Sequence, residues 1–229
     1  MFIKRLIISS PTEVIRDIEF SSGLNLIIDD PPMTDSKSTG NNVGKTTVLK
    51  LIDFCLGAKA NIIYTDTENK KEVYDVVKDF LIDKEIKITL ILTENFNDPE
   101  AKQLEIQRNF LSHKKAVRKI NGKTVLDKEF ENELERCIMP GKEAEKPTFR
   151  QIISHNIRYK DENINNTLKT LDKFTTDIEY ESLYLCLLGC TFNEGAKKQT
   201  LIAQINQEET FRERLEKKQT KTTYEIALA

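Results

Sequence analysis

The 229 residues include 38% hydrophobic side chains, enough for one large domain or two small ones. Because 35 basic residues nearly balance 37 acidic ones, the net charge of -2 does not indicate a polyanion partner. The apolar runs are too short for a signal sequence or a membrane span, and the four cysteines lack the paired spacing of a metal or redox motif. We therefore expect reduced thiols, a cytoplasmic location and no membrane partner.

The first 28 residues predict three strands. Apolar and polar residues alternate over 2–8 and 14–20, on either side of a Ser-Pro turn, which indicates a hairpin. The short run 24–28 is apolar and rich in isoleucine, which favours a buried central strand over a helix.

A polar loop and a helix follow. Residues 29–42 are mostly Asp, Pro, Ser, Thr, Gly and Asn, the residue types of turns and loops. From Lys45 helix-forming residues resume with an apolar stripe, and Gly57 is a typical helix terminator. Strand, polar loop and helix come in the order that a phosphate-binding site needs.

The rest of the chain predicts a helix, a meander of strands and then more helices. The strands alternate over 86–92, 104–108 and 116–120, with a hairpin turn at Asn121-Gly122. The predicted helices cover 72–81, 126–137, 149–159, 178–188 and 196–218. The last of them is long and highly charged, and could be the start of a coiled coil.

One motif carries chemistry. Residues 39–47 match the phosphate-loop pattern GxxxxGK[ST], except that Thr39 replaces its first glycine. In this pattern backbone N–H groups at a helix start surround the phosphates, the lysine binds the β- and γ-phosphates, and the next hydroxyl binds Mg²⁺. Asn tolerates the left-handed backbone that the loop requires. The predicted nucleotide-binding residues are Asn41, Asn42, Val43, Gly44, Lys45, Thr46 and Thr47, with Thr46 as a metal ligand.

The motif predicts a chain that binds Mg-ATP. The alternative is a turn before a helix that contains GKTT by chance. A GTPase is disfavoured because the only base-recognition candidate, 69–72, follows the loop too closely. A small kinase is disfavoured because arginine is scarce between Leu49 and Glu105, where a lid would lie.

Three segments carry a resemblance to a known family: GLNLIID at 23–29, NNVGKTTVLKLIDFCLG at 41–57 and KINGK at 119–123. Together they resemble the N-terminal head lobe of SMC/RecN-type ABC ATPases. The second segment is similar to bacterial coiled-coil ATPases, some of which lie among phage-defence genes. The resemblance implies an α/β P-loop head lobe over 1–190 with a mixed sheet around the loop, an antiparallel β subsheet and a helical arm. A protruding helix over 191–229 would begin a coiled coil or an exposed extension.

The resemblance also implies a mechanism. ATP held between two heads drives their dimerisation, while a C-terminal lobe supplies the signature loop, the Walker B carboxylates and a switch histidine. We recognise none of these in this sequence, so the chain is expected to be half a head, either truncated or one part of a split protein, that binds ATP and hydrolyses it poorly alone. The implied partners are a second head in a homodimer, the C-terminal lobe, DNA and other defence proteins.

A further expectation concerns a glutamine that senses Mg²⁺ in this family. Gln151 lies near the corresponding place, and an ordinary solvated helix residue is an equal alternative. Arg108, Lys119 and Arg158 are isolated basic residues, which we interpret as surface residues rather than nucleotide or DNA contacts.

The sequence thus predicts the Walker A half of an SMC-like ATPase head in DNA maintenance or anti-phage defence. The alternative is a nucleotide-sensing scaffold in a defence complex that never hydrolyses ATP.

Overall fold

The computed structural model describes residues 1–28, 44–66, 72–142, 144–190 and 194–217. The chain forms two compact units, one of Met1–Lys142 with Phe149–Leu171 and one of Glu143–Thr148 with Asp172–Ala229. The domain boundary expected between 190 and 191 stays a prediction. No helix in the described ranges has the length and apolar character to cross a membrane.

The first unit is built on a six-stranded antiparallel sheet in the order β2-β1-β3-β4-β5-β6. This confirms the predicted hairpin and meander, but every ladder is antiparallel, so the mixed sheet is wrong for the described residues. The strands are β1 Phe2–Ser9, β2 Val14–Glu19, β3 Lys87–Thr93, β4 Gln103–Asn109, β5 Arg118–Ile120 and β6 Lys123–Thr124.

One face of the sheet forms the core. The strand register aligns Leu6 with Leu90, Leu90 with Ile106, and Ile106 with Ile120. All four are buried in the same hydrophobic cluster. Since side chains alternate between the faces of a strand, this row explains the apolar alternation seen in the sequence.

Within the described ranges, six α-helices lie in the first unit and two in the second. Those of the first unit are α1 Lys45–Cys55, α2 Asn61–Tyr64, α3 Asp75–Asp83, α4 Asp127–Ile138, α5 Phe149–Asn156 and α6 Asp161–Asn165. Those of the second unit are α7 Asp177–Leu187 and α8 Gly195–Glu216. The predicted long charged helix is confirmed as α8, with 22 mostly exposed residues.

Two predicted helices differ at their ends. Helix α3 starts three residues late because Val73 pairs with Thr65 in a β-bridge. Helix α5 ends at Asn156, three residues before the predicted Tyr159, and the Asn156 side chain donates to the Ile152 carbonyl. Such local side-chain bonds compete with helix continuation.

The expected buried strand over 24–28 is wrong. These residues join no strand, and Leu24, Leu26 and Ile28 are 85%, 73% and 76% exposed. Asn25 fixes the preceding turn by accepting from the Ser21 N–H and donating to the Ser21 carbonyl. An apolar run predicts burial only if another surface covers it, and no described residue does so here.

The burial of the core can be tested by comparing the reactivity of two cysteines, since all four cysteines of the chain are free thiols. Cys55 is fully buried, and burial raises its pKa from 9.0 to about 12, whereas Cys190 is exposed. Because the thiolate is the reactive form, we expect iodoacetamide at pH 8 to label Cys55 about 100-fold more slowly than Cys190. Mass spectrometry of tryptic peptides measures both rates in one sample, and equal rates would contradict the packing of α1 on the sheet.

Candidate phosphate-binding site

Helix α1 begins with a glycine in a left-handed conformation. Gly44 has φ 75° and ψ 20°, which other residues adopt at a cost. An added Cβ would lie in ordinary van der Waals contact, 3.6 Å from Thr47 Oγ1, so it would meet no clash. The glycine is therefore required by the backbone turn and not by a close neighbour.

In α1 the first backbone N–H groups that have an acceptor within the helix are those of Thr47 and Val48. The Thr47 and Val48 N–H groups donate to the Gly44 carbonyl at 2.9 and 3.3 Å. The N–H groups of Lys45 and Thr46 have no acceptor among the described residues, both residues are exposed, and the first turn holds no acidic side chain. Such a helix start carries a partial positive charge suited to an anion.

The structure thus brings together four of the seven predicted nucleotide-binding residues, Gly44 to Thr47, on one turn. The other three, Asn41, Asn42 and Val43, lie outside the described residues. The binding role of the whole set stays a prediction.

The other end of α1 is held by Arg108 of β4. Its Nη1 donates to the carbonyl of Phe54 and, at 2.9 Å, to that of Ala58. The guanidinium carbon lies 4.0 Å from the centre of the Phe54 ring and 5.0 Å from that of Phe130, and burial lowers the Arg108 pKa to about 10. Arg108 is therefore a structural residue, and its interpretation as a surface residue is wrong.

A second arginine, Arg150 of α5, holds the same end. It donates at 2.8 Å to the Leu56 carbonyl through Nη1 and to Asp53 Oδ1 through Nη2. Tyr159 donates to the other Asp53 oxygen at 3.0 Å. Burial, the Asp53 charge and this hydrogen bond raise the Tyr159 pKa, so the hydroxyl remains a donor.

The sequence analysis did not predict the cluster of Asp53, Arg150 and Tyr159, although the position of Asp53 indicates it. Asp53 stands between Ile52 and Phe54 in the buried half of α1, where its side chain is only 6% exposed. A carboxylate inside an apolar stripe requires a buried partner. The partners, Arg150 and Tyr159, are about 100 residues away in the chain, and nothing in the sequence identified them.

Gln151 is half-buried in α5, directly after Arg150. Arg150 contacts α1 at Asp53, about 10 Å along the helix axis from Thr46. The role of Gln151 as a Mg²⁺ ligand stays a prediction.

Comparisons with known proteins add a likeness of fold. No protein family matches the sequence, and no curated protein matches it. A solved structure described as "Structural biochemistry of ATP-driven dimerization and DNA stimulated activation of SMC ATPases" is similar at a TM-score of 0.44 and 15% identity. The match covers 80% of this chain and 98% of that one. At this TM-score the likeness does not assign a family.

Replacing Asp53 with alanine should lower the free energy of unfolding by about 3 kcal/mol, because Arg150 and Tyr159 lose their shared buried acceptor. The loss of unfolding free energy caused by Asp53→Ala should be smaller in an Arg150→Met variant, because the guanidinium charge that needs a partner is then absent. Since the chain has no tryptophan, urea unfolding is followed by circular dichroism.

Asp17→Ala is the matched control, because Asp17 pairs with Arg5 on the exposed side of the sheet. Exposed ion pairs contribute little to stability. Equal losses from Asp53→Ala and Asp17→Ala would contradict the structural role of the buried pair.

Proposed function

We propose that this chain binds Mg-ATP at the start of α1. The observation that carries the proposal is the exposed first turn after Gly44, where the N–H groups of Lys45 and Thr46 have no acceptor among the described residues. Such groups attract an anion. The sequence at this turn, GKTT, supplies the side chains that a phosphate loop uses.

Each residue of the turn has a distinct role in the proposal. The Lys45 ammonium neutralises the β- and γ-phosphates, the Thr46 hydroxyl binds Mg²⁺, and Thr47 contacts the α-phosphate. Asn41, Asn42 and Val43, which lie outside the described residues, are assigned to the loop by the sequence pattern alone. The metal supplies charge neutralisation for the outer phosphates. The open start of α1, with no acidic side chain in its first turn, fits a phosphate group.

The wider role that we propose is that of an SMC-like ATPase head in which ATP binding closes two heads. Support comes from the segments 41–57 and 119–123, which resemble such heads, whereas the described residues of the segment 23–29 do not form the strand that the resemblance implies. DNA, a C-terminal lobe and defence proteins are the partners that this role implies. Hydrolysis by this chain alone should be weak, because we recognise neither a signature loop nor Walker B carboxylates in its sequence.

The binding proposal is tested by calorimetric titration of ATP with Mg²⁺ into the chain and its Lys45→Ala variant. We expect the variant to bind about 100-fold more weakly, because the ammonium that neutralises the phosphates is gone. Lys123→Ala is the control, since Lys123 is an exposed lysine on the edge strand β6. Equal affinity in the Lys45 variant and the control would contradict the phosphate-loop assignment.

A further inference from the structure

The stretch 106–126 contains basic residues and no acidic one. It covers the last residues of β4, the turn His113–Lys115 and the hairpin of β5 and β6. Since the whole chain has 35 basic and 37 acidic residues, this stretch departs from the near-neutral balance of the rest. A local excess of positive charge attracts an anionic partner even when the net charge of a protein is close to zero.

The strands bring lysines that are distant in the sequence to one side of the sheet. Lys87 of β3 and Lys119 of β5 each precede a buried isoleucine of the core cluster, so both lysines leave the sheet on its other face. Lys115 lines a cavity of about 340 Å³ together with Lys87. Lys119, which the sequence predicts to be isolated, therefore belongs to a group of lysines.

Most of the positive charge in this group is not neutralised within the described part of the chain. Lys87, Lys114 and Lys119 form no ion pair with any described residue. Lys115 pairs with Glu85 at 3.3 Å, but both side chains are exposed, and such pairs contribute little to stability. The group therefore presents a positive field to an approaching anion.

Asn109 fixes the backbone that carries two of these lysines. Its Nδ2 donates to the Lys115 carbonyl at 2.9 Å, and its Oδ1 accepts from the Val117 N–H at 2.7 Å. Its own N–H donates to the Val117 carbonyl at 3.2 Å. These bonds extend the β4–β5 ladder to the turn that holds Lys114 and Lys115. A backbone that is ordered before its partner arrives lowers the entropy cost of binding.

The residue types favour the phosphates of a DNA duplex as the anion. Proteins that bind single strands stack the bases on aromatic side chains, and no aromatic residue lies between Phe110 and Phe130 in the sequence. Phe110 itself stacks on the buried Phe54. Arginine commonly reads guanine edges, but Arg118 is held by Asp127 at 2.8 Å. Lysines bind phosphates as point charges and read no sequence.

We propose that Lys87, Lys114, Lys115 and Lys119 form a basic surface that binds the phosphates of double-stranded DNA without sequence preference. Strands β3 and β5 are two strand spacings apart, about 10 Å, and a duplex presents about six charges over that length. Binding at this surface does not require a nucleotide, because none of the four lysines belongs to α1. The wider role proposed above implies DNA as a partner, and the basic surface gives that partner a place on the first unit.

The test is fluorescence anisotropy of a labelled duplex of about 20 base pairs, titrated with the full chain without nucleotide at about 50 mM and about 200 mM salt. We expect a dissociation constant on the order of micromolar at the lower salt, and weaker binding at the higher salt. The triple variant Lys87→Gln, Lys115→Gln, Lys119→Gln should bind at least about 10-fold more weakly, with a smaller dependence on salt, because phosphate contacts are lost.

Lys123→Gln is the matched control, since it removes the same charge. Lys123 lies opposite the buried Ile120, so its side chain leaves the sheet on the face that does not carry Lys119. We expect this variant to bind DNA as the wild type does. Glu85→Gln should have the opposite effect and tighten binding about 2-fold, because Lys115 then has no competing carboxylate.

Equal losses from the triple variant and Lys123→Gln would show that overall charge is responsible and would overturn the proposal. No binding of the duplex by the wild type, tighter binding of a single strand, or binding of phosphatidylserine vesicles in place of DNA would also overturn it. Circular dichroism checks that the variants fold. Should the triple variant not fold, Lys114→Gln with Lys115→Gln, at two exposed side chains, carries the same expectation of weaker binding. Failure of the chain to bind ATP would contradict the proposed phosphate site alone.

Discussion

The fold of the first unit depends on the way the carboxyl end of α1 is held. Arg108 from β4 and Arg150 from α5 donate to the carbonyls of Phe54, Leu56 and Ala58, the last acceptors of the helix and the turn that follows it. Guanidinium groups are suited to this place because the helix dipole is negative there. The two contacts fix α1 against a strand and a helix that are distant in the sequence, and so fix the direction in which its amide end points.

The two ends of α1 therefore differ in how their backbone groups are satisfied. The carboxyl end is satisfied by side chains of the protein, whereas the amide end keeps the first N–H groups exposed. Exposed N–H groups at a helix start are suited to an anion, which is the basis of the proposed phosphate site. Asp53 belongs to the carboxyl end, where it neutralises Arg150 and accepts a hydrogen bond from Tyr159, and so ties α5 and the segment after it to α1.

Local patterns predicted much of this architecture, whereas the contacts that hold it could not be read from them. The alternating residues of β1, β3 and β4 predict strands because a period of two is typical of a sheet with one buried face, and the change from polar to helix-forming residues predicts the start of α1 at Lys45. The run 24–28 was predicted as buried and is exposed, since hydrophobicity does not reveal whether a covering surface exists. The sequence predicts a surface position for Arg108, because its ring partner Phe54 and its carbonyl acceptors lie about 50 residues away in the chain.

The most direct test of the account is a crystal structure of the chain with Mg²⁺ and a non-hydrolysable ATP analogue. The account predicts phosphate oxygens within hydrogen-bonding distance of the Lys45 and Thr46 N–H groups, with the Lys45 ammonium on the outer phosphates. Nucleotide bound elsewhere on the protein, with the first turn of α1 facing only solvent, would contradict it.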